Sequence, residues 1–389
     1  MQAQIHKFMN RLLYYSFIAI HRLVLLLLWI IHRRLKYKTT SHKIAAFPYY
    51  PETWPGGLDR IAAWKPYFET DGNLFHVFGA YTAKQLQDYM LYEKENKEWG
   101  KYKILWLIYW SRVRVILELR NYGTIWIQRG FIPIFPFKHG YYEKLLSKIH
   151  PNVIYDFYDA DYESNYRLVF DTVSFAKKVT VASRFLENKY KTINSNVFFI
   201  RYAIDTANFV TLKTTTDRLR IGWMGSPENA VQLTKIADQL KVIEDNFPQV
   251  LFSFVCRDMP DLGLKNVEVM KWGDVGFNYN LWLSTVDIGL VPFLSDTDRV
   301  KAKISMKSLE FMASGVPIVV SPWVHSDMLN NTNCQIAEHD NWYSRIKEMI
   351  VDNEKRTSNG LAGREIFENY HTYPKIYPLL KKVLTENVR

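Results

Sequence analysis

The sequence predicts an α/β protein with two doubly wound, parallel-sheet (Rossmann-like) domains that face a cleft, preceded by an N-terminal hydrophobic and basic helix. Three observations predict this class. A chain of 389 residues has room for two ordinary domains. Short runs of β-branched and aromatic residues alternate with helical segments, which is typical of parallel sheets covered by helices. A threonine-rich stretch, NFVTLKTTTDR, then interrupts that alternation near residue 210.

The first segment, residues 1–42, contains the most hydrophobic run of the chain, RLLYYSFIAIHRLVLLLLWIIH. No small-residue cleavage site of a signal peptide follows it. Arg11, Arg22 and Arg33 recur every eleven residues, a spacing that drifts only about 20° around a helix. One basic stripe on an apolar helix favours a peripheral anchor on an anionic membrane surface, at the cytoplasmic face. A helix docked on the protein's own surface and a single membrane span are the alternatives.

Two α/β domains are predicted after this segment. The first, residues 43–208, contains the strand-like runs KIAAFPYY, LFHVFGAY, TIWIQRG, NVIYDFYDA, KKVTVAS and NVFFIRYA. The second, residues 209–361, contains LRIGWMGS, VLFSFVC, VEVMKW, VDIGLVPF and VPIVVS. Residues 362–389 are predicted to form a C-terminal helix that packs back on the first domain. Open parallel sheets bind ligands beyond the carboxyl ends of their strands, so the motifs located there matter most.

The composition limits the partners that the protein can have. A net charge of +11 indicates an anionic partner: a phosphate-bearing small molecule, an anionic membrane or nucleic acid. No recognised nucleic-acid motif accompanies the charge, and no nucleic-acid partner is expected. The two cysteines, Cys256 and Cys334, lie far apart without metal-ligand spacing, so neither a disulfide framework nor a zinc site is predicted.

Three short motifs follow predicted strands. Gly56 and Gly57 stand between the first strand and the first helix of the first domain, where glycine lets the backbone approach a ligand; an ordinary turn is the alternative. In the second domain Gly225 and Ser226 occupy the corresponding place, and Ser226 suits a helix cap. Trp272 ends another strand, either lining a slot for a nucleobase or packing in the core.

Two acidic triplets could hold a divalent metal ion beside a diphosphate. Asp159 and Asp161 flank Ala160 at the end of an apolar strand, and Asp296 and Asp298 form the second match. Such triplets arise easily by chance, and no metal is required where lysines and backbone amides neutralise the diphosphate. The sequence therefore predicts no metal and no cofactor beyond the substrate.

The run from Val300 to Ser321, VKAKISMKSLEFMASGVPIVVS, supplies those lysines and amides. Ser305 is a good cap for a helix that ends before Gly315, and Lys307 lies in its first turn, where a cation opposes the helix dipole. An anion bound there would outweigh that conflict. Glu310 lies on the same face and suits a vicinal diol such as ribose. An ordinary Lys307–Glu310 surface pair is the alternative.

Several of these motifs together resemble the GT-B glycosyltransferases of glycosyltransferase family 4, above all a subgroup that assembles polysaccharides. The run from Val300 to Ser321 is similar to the nucleotide-sugar motif of that family. PGGLDRIAAW resembles its Gly-Gly loop, IRYAIDTANF its interdomain segment, and IGWMGSPENAVQL, KWGDV and DIGLVPF its carboxyl-domain strands. The resemblance covers residues 43 to 389.

The resemblance implies a set of donor contacts. Glu310 matches the glutamate that holds the donor ribose, and Ser305 and Met306 fall where backbone amides meet the diphosphate. Gly56 and Gly57 match the loop that approaches the same diphosphate from the other domain. Gly225, Ser226 and Trp272 complete the predicted donor-binding set.

Two departures from the family pattern concern the catalytic residues. The glutamate that contacts the donor sugar in the family falls on Ala302, and the basic residues that follow the carboxyl-domain glycine loop are missing after Gly225. Lys303 and Lys307 are predicted to replace that lost charge, and Asp159 is added as a catalytic candidate. The family implies a metal-independent reaction that retains anomeric configuration.

We therefore expect a membrane-associated glycosyltransferase. It would move a sugar from a nucleotide diphosphate-sugar to a lipid-linked or growing glycan acceptor, in the synthesis of a surface polysaccharide or glycolipid. A noncatalytic nucleotide-sugar-binding protein and a sugar-nucleotide epimerase of similar architecture are the alternatives.

Overall fold

The structure, a computed structural model, describes residues 2–386 except 36, 38–40, 136, 206–208, 210–212, 296 and 325–326, and in the first helix the side chains from Tyr15 onward. Arg11, Asp296 and much of the predicted link near residue 210 therefore lie outside the described part. The chain divides into two compact units, residues 1–200 with 377–389, and residues 201–376. The predicted boundaries at residues 42, 208 and 361 stay predictions.

The first unit is built on a six-stranded parallel sheet. Its strands are β1 (Lys43–Phe47), β2 (Leu74–Val77), β3 (Thr124–Gln128), β4 (Val153–Phe157), β5 (Lys178–Val181) and β6 (Val197–Phe199). The order is β2-β1-β3-β4-β5-β6, so the winding reverses between β1 and β3. Strands β3, β4 and β5 are buried throughout, as expected of a parallel sheet covered on both faces.

Helices cover this sheet and precede it. They are α1 (Gln2–His32), α2 (Pro55–Leu58), α3 (Lys65–Thr70), α4 (Ala83–Lys94), α5 (Glu98–Val113), α6 (Tyr141–Ile149), α7 (Tyr166–Phe175) and α8 (Arg184–Lys191). Side chains cap several starts: Thr82 and Gln85 form a capping box on α4, and Ser183 caps α8.

Helix α1 has two faces of different character. Phe17, His21, Leu28 and His32 are buried, and the Phe17 ring centroid lies 4.1 Å from that of Trp106 on α5. The opposite face exposes large apolar side chains: Ile20, Leu23, Leu26, Leu27, Ile30 and Ile31. By length and composition Tyr15–His32 is long and apolar enough to cross a membrane, but a core helix or a signal sequence passes the same test. The alternative of a helix docked on the protein's own surface is therefore correct for the buried face of α1. No described residue covers the exposed apolar face.

The second unit repeats the architecture with another strand order. Its strands are β7 (Leu219–Met224), β8 (Val250–Val255), β9 (Val267–Met270), β10 (Ile288–Val291), β11 (Ile318–Val320) and β12 (Gln335–Ile336), arranged β12-β11-β10-β7-β8-β9. This is the Rossmann order, with its reversal between β7 and β10. Neighbours on β7 face different cores, because Trp223 packs with one hydrophobic cluster and Met224 with the other.

The helices of the second unit are α9 (Pro227–Thr234), α10 (Ala237–Asn246), α11 (Tyr279–Thr285), α12 (Asp298–Ala302), α13 (Met306–Ala313), α14 (Trp342–Val351) and α15 (Asn353–Tyr370). The C-terminal segment predicted at 362–389 contains the end of α15 and all of α16 (Tyr373–Thr385). The end of α16 contacts the first sheet, because Thr124 Oγ1 donates to the Leu384 carbonyl at 2.8 Å and Lys178 Nζ to that of Val383 at 2.7 Å.

Candidate functional site

Helix α13 begins where the sequence predicts it. Ser305 has extended backbone angles and its hydroxyl accepts a hydrogen bond from the Ser308 amide at 3.3 Å, so Ser305 is confirmed as the cap. The Ser308 hydroxyl donates back to the Ser305 carbonyl at 2.7 Å, and both serines are buried. The first amides of a helix have no acceptor inside it, and no described residue accepts from those of Met306 and Lys307, so an anion can bind there.

Lys307 extends from this helix over the end of β7. A Cβ added at Gly225 would stand 2.7 Å from Lys307 Cε and 2.9 Å from the Trp223 ring, so a larger residue there would displace the lysine side chain. Lys307 Nζ lies 5.6 Å from the ring centroid of Trp223 and 5.9 Å from that of Phe293, which follows β10. The ammonium group therefore lies at the reversal of the strand order, where open sheets bind their ligands.

A second ammonium group shares this place. Lys303 Nζ lies 3.4 Å from the Asn229 amide oxygen and 5.6 Å from the Phe293 ring centroid. Burial, reinforced by repulsion from Lys303, lowers the pKa of Lys307 to about 8, although Glu310 opposes the shift. The lysine pair is thus an electropositive site of the kind that a diphosphate would stabilise.

Glu310 is held by a tyrosine that the sequence did not indicate. The Tyr279 hydroxyl, at the start of α11, donates to Glu310 Oε2 at 2.6 Å and also contacts the Met224 sulfur. Burial, with the Glu310 carboxylate beside it, raises the pKa of Tyr279 well above its usual value, so the phenol keeps its proton and acts as donor. The Glu310 carboxylate is therefore oriented from one side by Tyr279.

Trp272 lies beside the same tyrosine. Its side chain is 46% exposed, so the alternative of a buried packing aromatic is wrong. The ring centroid lies 4.9 Å from that of Tyr279 and 6.1 Å from that of Phe277. Gly273 and Gly276, both with positive φ, form the turn that returns the chain from β9 to α11. Trp272, Tyr279 and Glu310 form a continuous row that combines an exposed ring with a carboxylate.

Ser226 does not cap α9 with its side chain, contrary to the capping alternative. Its hydroxyl instead accepts a hydrogen bond from the Asn229 amide nitrogen at 2.9 Å, and the oxygen of the same amide faces Lys303. Ala302, which stands where the family has its sugar-contacting glutamate, is fully buried at the end of α12. Asn229 is a polar contact that sequence reasoning did not single out, because an asparagine in a first helical turn usually reads as a local cap.

Gly56 and Gly57 in the first unit are needed for close packing. A Cβ at Gly57 would stand 2.4 Å from the Pro51 carbonyl oxygen, and one at Gly56 would stand 2.7 Å from the Tyr158 hydroxyl. The Gly56 carbonyl accepts a hydrogen bond from Gln128 Nε2 at 2.7 Å. The alternative of an ordinary turn thus explains Gly57. Gly56 lies beside the aromatic and charged groups described next.

Arg129 follows β3 and binds both carboxylates of the first acidic triplet. Its Nη2 lies 2.5 Å from Asp159 Oδ2, and its Nε lies 3.0 Å from Asp161 Oδ1. The guanidinium carbon lies 4.3 Å from the ring centroid of Tyr158 and Nη1 donates to the Tyr50 hydroxyl at 3.1 Å. Burial acts to lower the pKa of Arg129. The nearby carboxylates outweigh it, with the largest contribution from Asp161, and hold this pKa well above its usual value.

The two aspartates therefore already have a cation, although they resembled a metal-binding triplet in the sequence. Burial raises the pKa of Asp161 to about 7 in spite of the opposing charge of Arg129. Asp156, on the preceding strand, is structural: Arg60 Nη2 and Thr180 Oγ1 each lie 2.6 Å from its Oδ1, in the buried sheet.

No family model and no curated protein sequence matches the chain. Solved structures are similar to it at low sequence identity. HepE of Anabaena in complex with UDP has a TM-score of 0.60 at 14% identity, covering 88% of this chain and 99% of HepE. Sucrose-phosphate synthase of Thermosynechococcus elongatus has a TM-score of 0.63 at 10% identity, covering 88% and 98%. A glycosyltransferase of Rickettsia africae has a TM-score of 0.60 at 12% identity, covering 91% and 100%. The two-domain, Rossmann-like GT-B fold predicted from the sequence is thereby confirmed.

Proposed function

We propose that this protein is a glycosyltransferase that uses a nucleotide diphosphate-sugar as donor. The observation that carries the proposal is the lysine pair Lys303 and Lys307, which meets the free amides of α13 at the strand reversal of the second sheet. Two ammonium groups, helix amides and a helix dipole converge on one place, which is the chemistry that a diphosphate requires. HepE, with the same fold, is crystallised with UDP and also with UDP-glucose, which supports a nucleotide-sugar donor.

The same groups account for catalysis. When the bond between the sugar and the diphosphate breaks, negative charge develops on the leaving oxygen. The ammonium groups of Lys303 and Lys307 and the amides of Met306 and Lys307 would stabilise that charge from fixed positions, and no metal ion is needed for this term. The reaction would retain anomeric configuration, as the family resemblance implies.

The nucleoside would occupy the row from Glu310 to Trp272. Glu310 accepts hydrogen bonds from the ribose hydroxyls while Tyr279 holds its other side. The exposed ring of Trp272 offers a surface on which a base stacks, with the Tyr279 ring behind it. In the first unit, Asp159 would act through Arg129, whose guanidinium it holds beside Tyr158 and Tyr50.

A panel of UDP-, GDP- and dTDP-sugars tests the proposal. We expect calorimetric titration to give a Kd between about 1 μM and 1 mM for at least one donor, with slow hydrolysis of the bound donor. Absence of binding by every donor would exclude the proposal.

A noncatalytic nucleotide-sugar binder is a second candidate, favoured by the burial of Ala302 where the family has a sugar-contacting glutamate. Donor binding at these affinities without hydrolysis, and without transfer to any lipid-linked or glycan acceptor, would select it.

We further propose that α1 attaches the protein peripherally to the cytoplasmic face of an anionic membrane, where a lipid-linked or growing glycan acceptor is available. The support is the exposed apolar face of α1, with Leu23 58% and Leu27 50% exposed and Arg22 and Arg33 beside it. In the Leu23→Glu/Leu27→Glu variant, the fraction of protein that floats with phosphatidylglycerol vesicles should fall at least tenfold. Leu91→Glu, an equally exposed leucine on α4, is the matched control and should float as the unaltered protein does. Equal flotation of all three proteins would refute the anchor.

A further inference from the structure

A cavity of about 180 Å³ lies between α1 and the loop that joins β3 to α6. Its wall is mainly aromatic and aliphatic, with Phe17 and Ile18 from α1 and Phe135 and Phe137 from the loop. The rings are close-packed behind the cavity, since the centroids of Phe17 and Phe135 lie 4.2 Å apart. An apolar cavity of ~150 Å³ binds a benzene-sized group, so this one accepts a short segment of a hydrocarbon chain.

The cavity also has polar groups at defined places. His21 lines it and is 2% exposed, and its Nδ1 has no hydrogen-bond partner among the described residues. Arg22 and Lys138 line the cavity from exposed positions, which gives its mouth a positive charge. His139 also lies there and pairs with Asp171, with 2.8 Å between Nδ1 and Oδ2. A ligand that fits is therefore apolar at one end and anionic at the other, with a hydrogen-bonding group near His21.

Two structural connections indicate where such a ligand comes from. Ile18 and Arg22 belong to α1, the helix whose other face exposes the apolar side chains described above, so the cavity borders a surface suited to lipid. The loop that supplies Phe135 begins at Arg129, six residues earlier, a separation that spans at most about 20 Å. The same loop therefore carries both part of the cavity wall and Arg129.

We propose that this cavity binds the hydrocarbon chain of a single-chain lipid phosphate, with the phosphate at Arg22 and Lys138. The inference deepens the proposed function, because a lipid phosphate is a class of acceptor for sugar transfer. It is tested without any donor, so its failure is distinguishable from failure of the proposed transferase.

The test is calorimetric titration of the full-length protein with octyl phosphate below its micelle concentration, alongside octanol and inorganic phosphate. We expect octyl phosphate to bind at least tenfold more tightly than either fragment, because it alone uses both the apolar wall and the cationic mouth. Ile18→Trp fills the cavity and should weaken octyl phosphate binding at least tenfold. Leu23→Trp adds the same ring on the exposed face of α1 and should leave binding unchanged.

Lys138→Ala is a second variant, which tests the proposal even if Ile18→Trp does not fold. It should weaken octyl phosphate several-fold and leave octanol unaffected. Octyl phosphate binding that is equal in the unaltered protein, Ile18→Trp and Lys138→Ala would overturn the proposal. Inorganic phosphate binding as tightly as octyl phosphate would reduce the site to an anion site and overturn it too. Dioctanoyl phosphatidylglycerol that binds more tightly than octyl phosphate, and is lost in Ile18→Trp, would reassign the cavity to a bilayer phospholipid and refute the acceptor assignment.

Discussion

The two units place cations at equivalent points of their sheets, but the groups around those cations differ. Arg129 follows β3 at the strand reversal of the first sheet and is bound by Asp159 and Asp161. Lys303 and Lys307 lie at the strand reversal of the second sheet, close to each other, with an asparagine amide and aromatic rings around them. Accordingly, the pKa of Arg129 is raised and that of Lys307 is lowered to about 8.

This difference separates a cation that is paired with carboxylates of its own unit from a lysine pair that suits an anionic ligand. Arg129 is part of an ion-pair network with Asp159 and Asp161, so its removal leaves both carboxylates without this cation. Lys303 and Lys307 repel each other and the dipole of α13 opposes a cation in its first turn, so an anion bound there would stabilise the pair. Substitutions at the two places should therefore affect different properties, stability in one case and donor use in the other.

The largest effect is expected for Lys307→Ala. We expect kcat/KM for the donor to fall by about 10²- to 10³-fold, because one fixed donor to the leaving diphosphate is lost. The free energy of unfolding should change by less than about 1 kcal/mol, since this ammonium forms no ion pair with a described residue. Steady-state kinetics and urea denaturation measure the two quantities. Lys301→Ala, on the neighbouring α12 with its ammonium 4.9 Å from the Trp323 ring centroid, is the matched control. Equal losses in both variants would contradict a specific role for Lys307.

Arg129→Ala should affect the stability of the protein more than its use of the donor. It leaves Asp161 largely buried and Asp159 half-exposed without their cation, so the free energy of unfolding should fall by about 3 kcal/mol. Adding Asp161→Asn to this variant should restore part of the loss, because asparagine avoids the cost of keeping a buried carboxyl group protonated. Urea denaturation checks both steps. A variant as stable as the unaltered protein would show that Arg129 is not the counter-charge of the triplet.

Sequence reasoning reached the fold and the lysine helix because both depend on local patterns. The alternation of β-branched runs predicted eleven of the strands that the structure contains. Among the described residues it missed β12, which has two residues. The cap at Ser305 was found because a serine before a helical run has a local cause, the hydrogen bond to the amide of Ser308.

The partners of the charged groups were not predictable in the same way. Tyr279 meets Glu310 from a helix 31 residues away along the chain, and Arg129 meets Asp159 across two neighbouring strands. Such contacts depend on strand order and side-chain direction, neither of which has a period in the sequence. For the same reason Asp159 and Asp161 resembled a metal site, since the spacing of the triplet does not indicate which cation faces it.

The lowered pKa of Lys307 predicts a pH dependence. In the free protein the ammonium is present below about pH 8 and is lost as the pH rises above that value. We therefore expect donor kcat/KM, which reports groups of the free enzyme, to be level below pH 8 and to fall about tenfold per pH unit above it. Lys307→Arg keeps its charge throughout and should remove this decline, whatever its absolute rate. An unchanged decline in Lys307→Arg would assign the titration to another group.

The smallest effect is expected for Tyr279→Phe, which removes one hydrogen bond to Glu310 and keeps the ring beside Trp272. A hydrogen bond of about 1 kcal/mol corresponds to a roughly fivefold loss, here in affinity for the nucleoside diphosphate that the protein binds. Inorganic pyrophosphate should bind as before, because it contacts the lysines and the α13 amides but not the carboxylate that Tyr279 orients. Competition titrations with the two ligands measure this difference. If pyrophosphate weakens by the same factor, Tyr279 supports the lysine pair rather than Glu310, and the division of the site into a diphosphate part and a ribose part does not hold.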